Sequence, residues 1–94
     1  MRLGYARVST EEKTLGFQIA ALRSAGAECI YEDVGVPGSA VIKPAYNDML
    51  RRAQAGDEII VWRLDRLSRS LSTLMLELQL FGSRKFAFRS LSEE

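Results

Sequence analysis

Apolar residues come in short runs separated by polar breaks, and the spacing inside the runs alternates between two periods. Residues 2–8 (RLGYARV) read as a strand, with Leu3, Tyr5, Ala6 and Val8 suited to a sheet core. Leu15, Ile19 and Leu22 then recur at helical spacing, and Gly26 stands where a helix C-terminus favours glycine. A second β-type run, ECIYEDV, covers 28–34, and the loop VGVPGSAVIK after it is punctuated by Pro37 and Gly38. Pro44 suits the first position of a helix, which Ala45, Met49, Leu50 and Ala53 continue toward Gly56. EIIVW (58–62) is the clearest strand, β-branched and apolar on both faces. Leu64, Leu67, Leu71, Leu74, Met75 and Leu78 predict one long helix with a single apolar stripe, ended by Gly82. Residues 85–91 (KFAFRSL) supply a fourth strand.

This alternation predicts an α/β fold: a doubly wound, mainly parallel sheet of flavodoxin-like order 2-1-3-4, with helices on both faces. In such sheets ligands bind beyond the carboxyl ends of the strands, where the strand order reverses. The first and third strands would then be neighbours, and Ser9 would share a crevice with the cluster from Arg63 to Arg69. Residues 1–94 read as a single domain with no repeat, low-complexity segment or internal linker.

Composition changes this picture mainly by exclusion. The 47% apolar and 27% charged content is ordinary for a folded soluble domain. Net charge is +1, but Arg63, Arg66 and Arg69 fall close together, which favours a local site over a general electrostatic footprint. Histidine is absent, which removes Ser–His–Asp hydrolysis, His-ligated metals and imidazole acid–base chemistry together. Cys29 is the sole cysteine, so no intrachain disulfide forms, and a reducing, cytoplasmic setting is expected. Neither a signal peptide nor a membrane-spanning run is expected, because Arg7 interrupts the apolar stretch near the N-terminus.

Two constellations carry candidate chemistry, each with a plain structural reading beside it. Ser9 opens S-T-E-E, which matches a capping box with Glu12 reaching back, but Thr14 competes for the cap because the apolar period begins at Leu15. Arg7, at the end of a buried strand, needs an anionic or carbonyl partner; Asp33 or Asp65 could pair with it, or a ligand could. WRLDRLSRS (62–70) reads either as the solvated face of an amphipathic helix or as an anion site. Arginines early in a helix oppose its dipole, and a bound anion reverses that cost. A hydroxyl, clustered arginines, one carboxylate and no histidine suit phosphoryl transfer, and neither a Walker A loop nor a dinucleotide fingerprint is present.

YARVST at 5–10, LGFQ at 15–18 and VWRLDRLSRS at 61–70, with the lead-in GDEIIVW and the closing FRSL, resemble the catalytic domain of serine recombinases, the resolvase and invertase group. The resemblance covers nearly the whole chain. It implies site-specific recombination of DNA, with Ser9 as nucleophile forming a 5′-phosphoserine link and freeing a 3′-hydroxyl. It places Arg7, Arg66 and Arg69 around the scissile phosphate and assigns Asp65 to the leaving-group proton. It makes Tyr5 and Gln18 supporting residues, with Lys43 and Arg63 as further phosphate contacts. It implies neither ATP nor metal, because the covalent link conserves the phosphodiester energy. DNA is the implied partner, with a dimer or tetramer of the parent protein doing the exchange.

The sequence departs from the family pattern at Lys43, which precedes Pro44 where an arginine is usual; lysine keeps the charge but not the bidentate geometry. Lys13 stands where glutamine is common. The long dimerisation helix and the helix-turn-helix domain of such proteins are expected to lie outside residues 1–94. This stretch alone is expected to bind DNA weakly, without sequence preference, and to lack activity by itself. The competing expectations are a non-catalytic remnant that keeps the fold, and an unrelated flavodoxin-like phosphate or nucleotide binder.

Overall fold

The computed structural model describes residues 1–10, 13–37, 43–68 and 70–92. In chain order the elements are β1 (Arg2–Val8), α1 (Leu15–Ser24), β2 (Cys29–Val34), α2 (Pro44–Arg52), β3 (Glu58–Val61), α3 (Leu64–Leu67), α4 (Leu71–Ser83) and β4 (Ala87–Ser90). The strands form one parallel sheet in the order β2-β1-β3-β4, as expected from the sequence.

Side-chain alternation along the strands assigns the two faces. Leu3 and Tyr5 of β1 and Ile59 and Val61 of β3 pack with Tyr46 and Met49 of α2 and Phe81 of α4 in the larger core. Ala6 and Ile60 face the other way, onto Leu22 of α1. Helices therefore cover both faces. The α1 side is built for close approach: a Cβ on Gly4 would meet Ala27 Cβ at 3.1 Å and Leu22 Cβ at 3.3 Å. Gly26 turns the chain out of α1 at φ +97°, where glycine has no steric penalty.

Three expectations change. The capping box at Ser9 does not start α1; that helix begins at Leu15 with Thr14 as its N-cap, and Glu12 lies outside the described residues. The single helix expected over 64–82 is two helices. Ser68 is extended (φ −161°, ψ 147°), and α4 restarts behind Ser70, whose hydroxyl accepts from the Thr73 amide at 3.4 Å. The two serines around Arg69 carried that signal, because short hydroxyl side chains compete with helical backbone pairing. Gly82 lies inside the last turn of α4, and the reversal falls instead at Lys85, with φ 63°.

The apolar stripe is also divided. Leu67 and Phe81 are buried, whereas Leu71 is 73% exposed and Met75 54%. No helix among the described residues is long and apolar enough to cross a membrane.

Candidate phosphate-binding site

β1 outlasts β3. Their pairing ends at Tyr5↔Val61, while β1 and β2 stay paired to Val8↔Val34. The Arg7 main chain therefore extends past the end of β3, and side chains supply partners there. Gln18, fully buried on α1, accepts from the Arg7 amide at 3.3 Å and donates to the Arg7 carbonyl at 3.1 Å. Arg66, on the one-turn helix that follows β3, donates to the same carbonyl at 3.2 Å.

The Arg7 side chain returns the contact. It is 1% exposed, and its guanidinium donates to the main-chain carbonyls of Arg66 (3.1 Å), Val36 (3.2 Å) and Asp65. Arg7 and Arg66 are thus interlocked, each bonded to the other's backbone. This corrects two sequence readings. Of the partners the sequence left open for Arg7, main-chain carbonyls, that of Asp65 included, take the hydrogen bonds described here, and no ion pair to Asp33 or Asp65 is found among the described residues. Arg66 is not on a solvated helix face, being 3% exposed.

The carboxylates are engaged elsewhere. Asp65 lies within 3.2 Å of Arg63 and 3.3 Å of the Arg66 Nε, with its own side chain 41% exposed. Trp62 stacks beneath this group, its ring 4.7 Å from the Arg63 guanidinium carbon and 5.6 Å from that of Arg66. Asp33 is buried and accepts from the Tyr5 hydroxyl at 2.8 Å and from the Ala45 and Tyr46 amides at 2.9 and 3.1 Å. It therefore caps α2 from a neighbouring strand, satisfying amides that Lys43 at the N-cap does not. Burial, then the Asp33 hydrogen bond, pushes the Tyr5 phenol far up, so it stays a neutral donor.

Lys43, half-buried at the start of α2, belongs to the same electrostatic neighbourhood. Burial, and next the charge of Arg7, pull its ammonium below the usual lysine range, while Glu77 and Asp33 oppose them. Ser9 is half-buried just past the end of β1, two residues beyond Arg7.

The structure thus gathers Arg7, Gln18, Arg63, Asp65 and Arg66, with Tyr5 and Lys43 on the β2–α2 side and Ser9 at the same strand end. Arg69 lies outside the described residues. Sequence reasoning did not single out Tyr46 or Glu77, and saw Asp33 only as an ion-pair candidate; the available signal was that Asp33 falls on the same face of β2 as Cys29 and Tyr31, which pack against the larger core. The helix-dipole part of the anion argument also weakens, because α3 is a single turn and its arginine lies at the end of it. Among the described residues no group of His, Cys, Asp and Glu side chains is placed to hold a metal ion.

Residues 2–94 match the family model described as Resolvase, N terminal domain. The serine recombinase Gin of Escherichia phage Mu is 40% identical over 93 residues, 99% of this chain and 48% of that protein. The transposon Tn552 resolvase of Staphylococcus aureus is 39% identical over 93 residues, 99% of this chain and 47% of that protein. Among solved structures, the N-terminal catalytic domain of TP901-1 integrase superposes with a TM-score of 0.76 at 29% identity, covering 97% of this chain and 77% of that one. The chain spans about half the length of the curated relatives it matches.

Proposed function

The chain belongs to the resolvase family of serine recombinases, and from that premise we propose that it supplies the catalytic residues for the DNA cleavage and rejoining chemistry of site-specific recombination, as part of a longer protein rather than alone. Ser9 Oγ attacks a backbone phosphorus, the P–O3′ bond breaks, and a 5′-phosphoserine and a free 3′-hydroxyl result. Ser9 releases a proton and the departing oxygen takes one up, a transfer we assign to Asp65. Rejoining is the same reaction in reverse, so no outside energy source enters. Exchanging ends between two duplexes requires four strand cuts, hence four copies of Ser9 acting together. The free thiol of Cys29 suits a reducing, cytoplasmic setting.

The observation that carries this reading is the interlocked pair Arg7 and Arg66, buried at the strand end from which Ser9 follows. The transition state adds negative charge to the phosphoryl oxygens, and preorganised guanidiniums stabilise that charge without reorganising. Gln18 and Tyr5 hold the scaffold, Lys43 and Arg63 add charge at its edge, and Arg69 completes the set in the family pattern. Lys43 still brings a cation into the neighbourhood of Arg7, which favours a working site over a remnant.

A pool of nicked duplexes of randomised sequence, offered to a full-length protein that contains these residues, tests the assignment. A nick near the cut lets the short end diffuse away and traps the covalent link. The expected product is a DNA-bearing peptide containing Ser9, identified by mass spectrometry and absent in Ser9→Ala. Attachment at another residue, or equal attachment in Ser9→Ala, overturns it.

A further inference from the structure

Trp62 does not have the surroundings of a core tryptophan. The sequence places it at the end of the strand EIIVW, yet β3 stops at Val61 and, among the described residues, Trp62 belongs to neither apolar core. Its main chain is pinned just past the strand end, where the carbonyl accepts from the Ser92 amide at 3.0 Å. What its ring meets is charge. The guanidinium carbons of Arg63 and Arg66 lie over the indole, 4.7 and 5.6 Å from its centroid. Asp65 joins the same two side chains, with Oδ2 accepting from Arg63 at 3.2 Å and Oδ1 lying 3.3 Å from the Arg66 Nε.

We propose that Trp62 is a positioning residue for the phosphate site: its indole face holds the Arg66 guanidinium at the strand end, with Arg63 and Asp65 gathered on the same platform. A buried arginine needs partners that orient it, and each kind of partner has its own effect on a bound phosphate. A carboxylate attracts the cation but offsets the charge that a phosphate would meet. A carbonyl occupies one of the N–H donors. A ring face attracts the cation through its quadrupole, takes up no N–H and leaves the net charge unchanged, and tryptophan offers the strongest such face. The bond from Arg66 to the Arg7 carbonyl fixes one nitrogen, and the indole restricts how the rest of the group turns about it. Asp65 is shared with Arg63 and its side chain is 41% exposed, so it is a weak tether for Arg66. It does offset the repulsion between two cations over one ring.

The inference rests on the assignment of Arg66 to the phosphate site, and the experiment separates the two. Mono-, di- and trifluorotryptophan are placed at position 62 of a full-length protein that contains these residues. Each fluorine drains the negative face of the ring at nearly constant size. Two quantities are read: the rate of DNA linkage to Ser9 on nicked duplexes, and the affinity for inorganic phosphate. Phosphate is followed by the NMR signal of the Arg66 Nε–H, assigned by its loss in Arg66→Lys. Rate and affinity are both expected to fall with each added fluorine, while the midpoint of chemical denaturation moves little. Trp62→Leu keeps apolar bulk without a ring and should lower both about tenfold, and Trp62→Phe should recover part of the loss. The analogue series keeps the test decisive if Trp62→Leu fails to fold.

A rate and an affinity that both ignore the fluorines overturn the inference. So does a loss in Trp62→Leu that follows a lowered denaturation midpoint with no graded response to fluorine. Ser9 linkage that proceeds at the same rate across the series leaves the recombinase assignment standing and removes Trp62 from the site. A graded fall in phosphate affinity in a protein that never links DNA through Ser9 leaves the Trp62 role standing and refutes the recombinase assignment instead.

Discussion

The side-chain amide of Gln18 brackets the main chain of Arg7, accepting from its N–H and donating to its carbonyl where β1 runs beyond β3. The arrangement fixes the amide's orientation, because the flipped form would set donor against donor and acceptor against acceptor. It also ties α1 to the strand end that carries Arg7 and leads to Ser9.

Gln18→Leu keeps the volume and removes both bonds. With buried backbone groups left unpaired, the variant is expected to lose about 2 kcal/mol of stability. Chemical denaturation at fixed pH measures it. A loss under about 0.5 kcal/mol would mean that water or a repacked side chain replaces the amide. DNA linkage through Ser9 should fall in parallel, because Arg7 loses its fixed station.

The divided stripe of α4 makes a second contrast. Phe81→Ala is expected to cost about 3–5 kcal/mol, since it empties a fully buried position that also touches Phe86 and Phe88. Leu71→Gln, one turn from the site and 73% exposed, should change stability by less than about 0.5 kcal/mol. Equal losses at the two positions would restore the continuous stripe that periodicity predicts.

Asp57 governs part of the acid response. Its carboxylate accepts from the Gln54 amide and from the N-terminal ammonium, and these bonds, the amide first, hold it below its ordinary value of 3.8. A carboxyl depressed in the fold stabilises it fully above the ordinary value, and that contribution is lost as pH falls through the lower, folded-state value. Asp57→Asn should therefore cost about 1 kcal/mol at neutral pH and flatten the stability curve below pH 4. Parallel curves for the variant and the parent across that acid range would exclude this role.

Trp62 is the sole tryptophan and lies against the guanidiniums of Arg63 and Arg66. A phosphate drawing on Arg66 changes the field on the indole, so short duplex DNA should shift its emission with a saturable, salt-weakened response. Arg66→Ala should abolish the shift. If anisotropy reports binding while emission stays constant, the DNA is being held somewhere other than this site.

Much of this protein is legible in its residues alone. The alternation of periods 2 and 3.6 specified the four strands, the sheet order and the faces that meet, because burial of one face per element leaves few arrangements open. The hydroxyl of Ser9, the arginines of 63–69 and the absence of histidine suited phosphoryl transfer, while the role of Gln18 was implied only by the resemblance to serine recombinases.

Tertiary structure decided which polar group meets which. Arg7 could be expected to need a partner, but whether that was Asp33, Asp65 or a carbonyl depended on where β3 stops and a one-turn helix begins. Asp33 caps α2 from β2 and Glu77 reaches Tyr46 across two helices, contacts between residues 12 to 31 positions apart. Periodicity reports which face of an element is buried. The partners of buried charges are set by where separate elements end in space, and no local pattern encodes that.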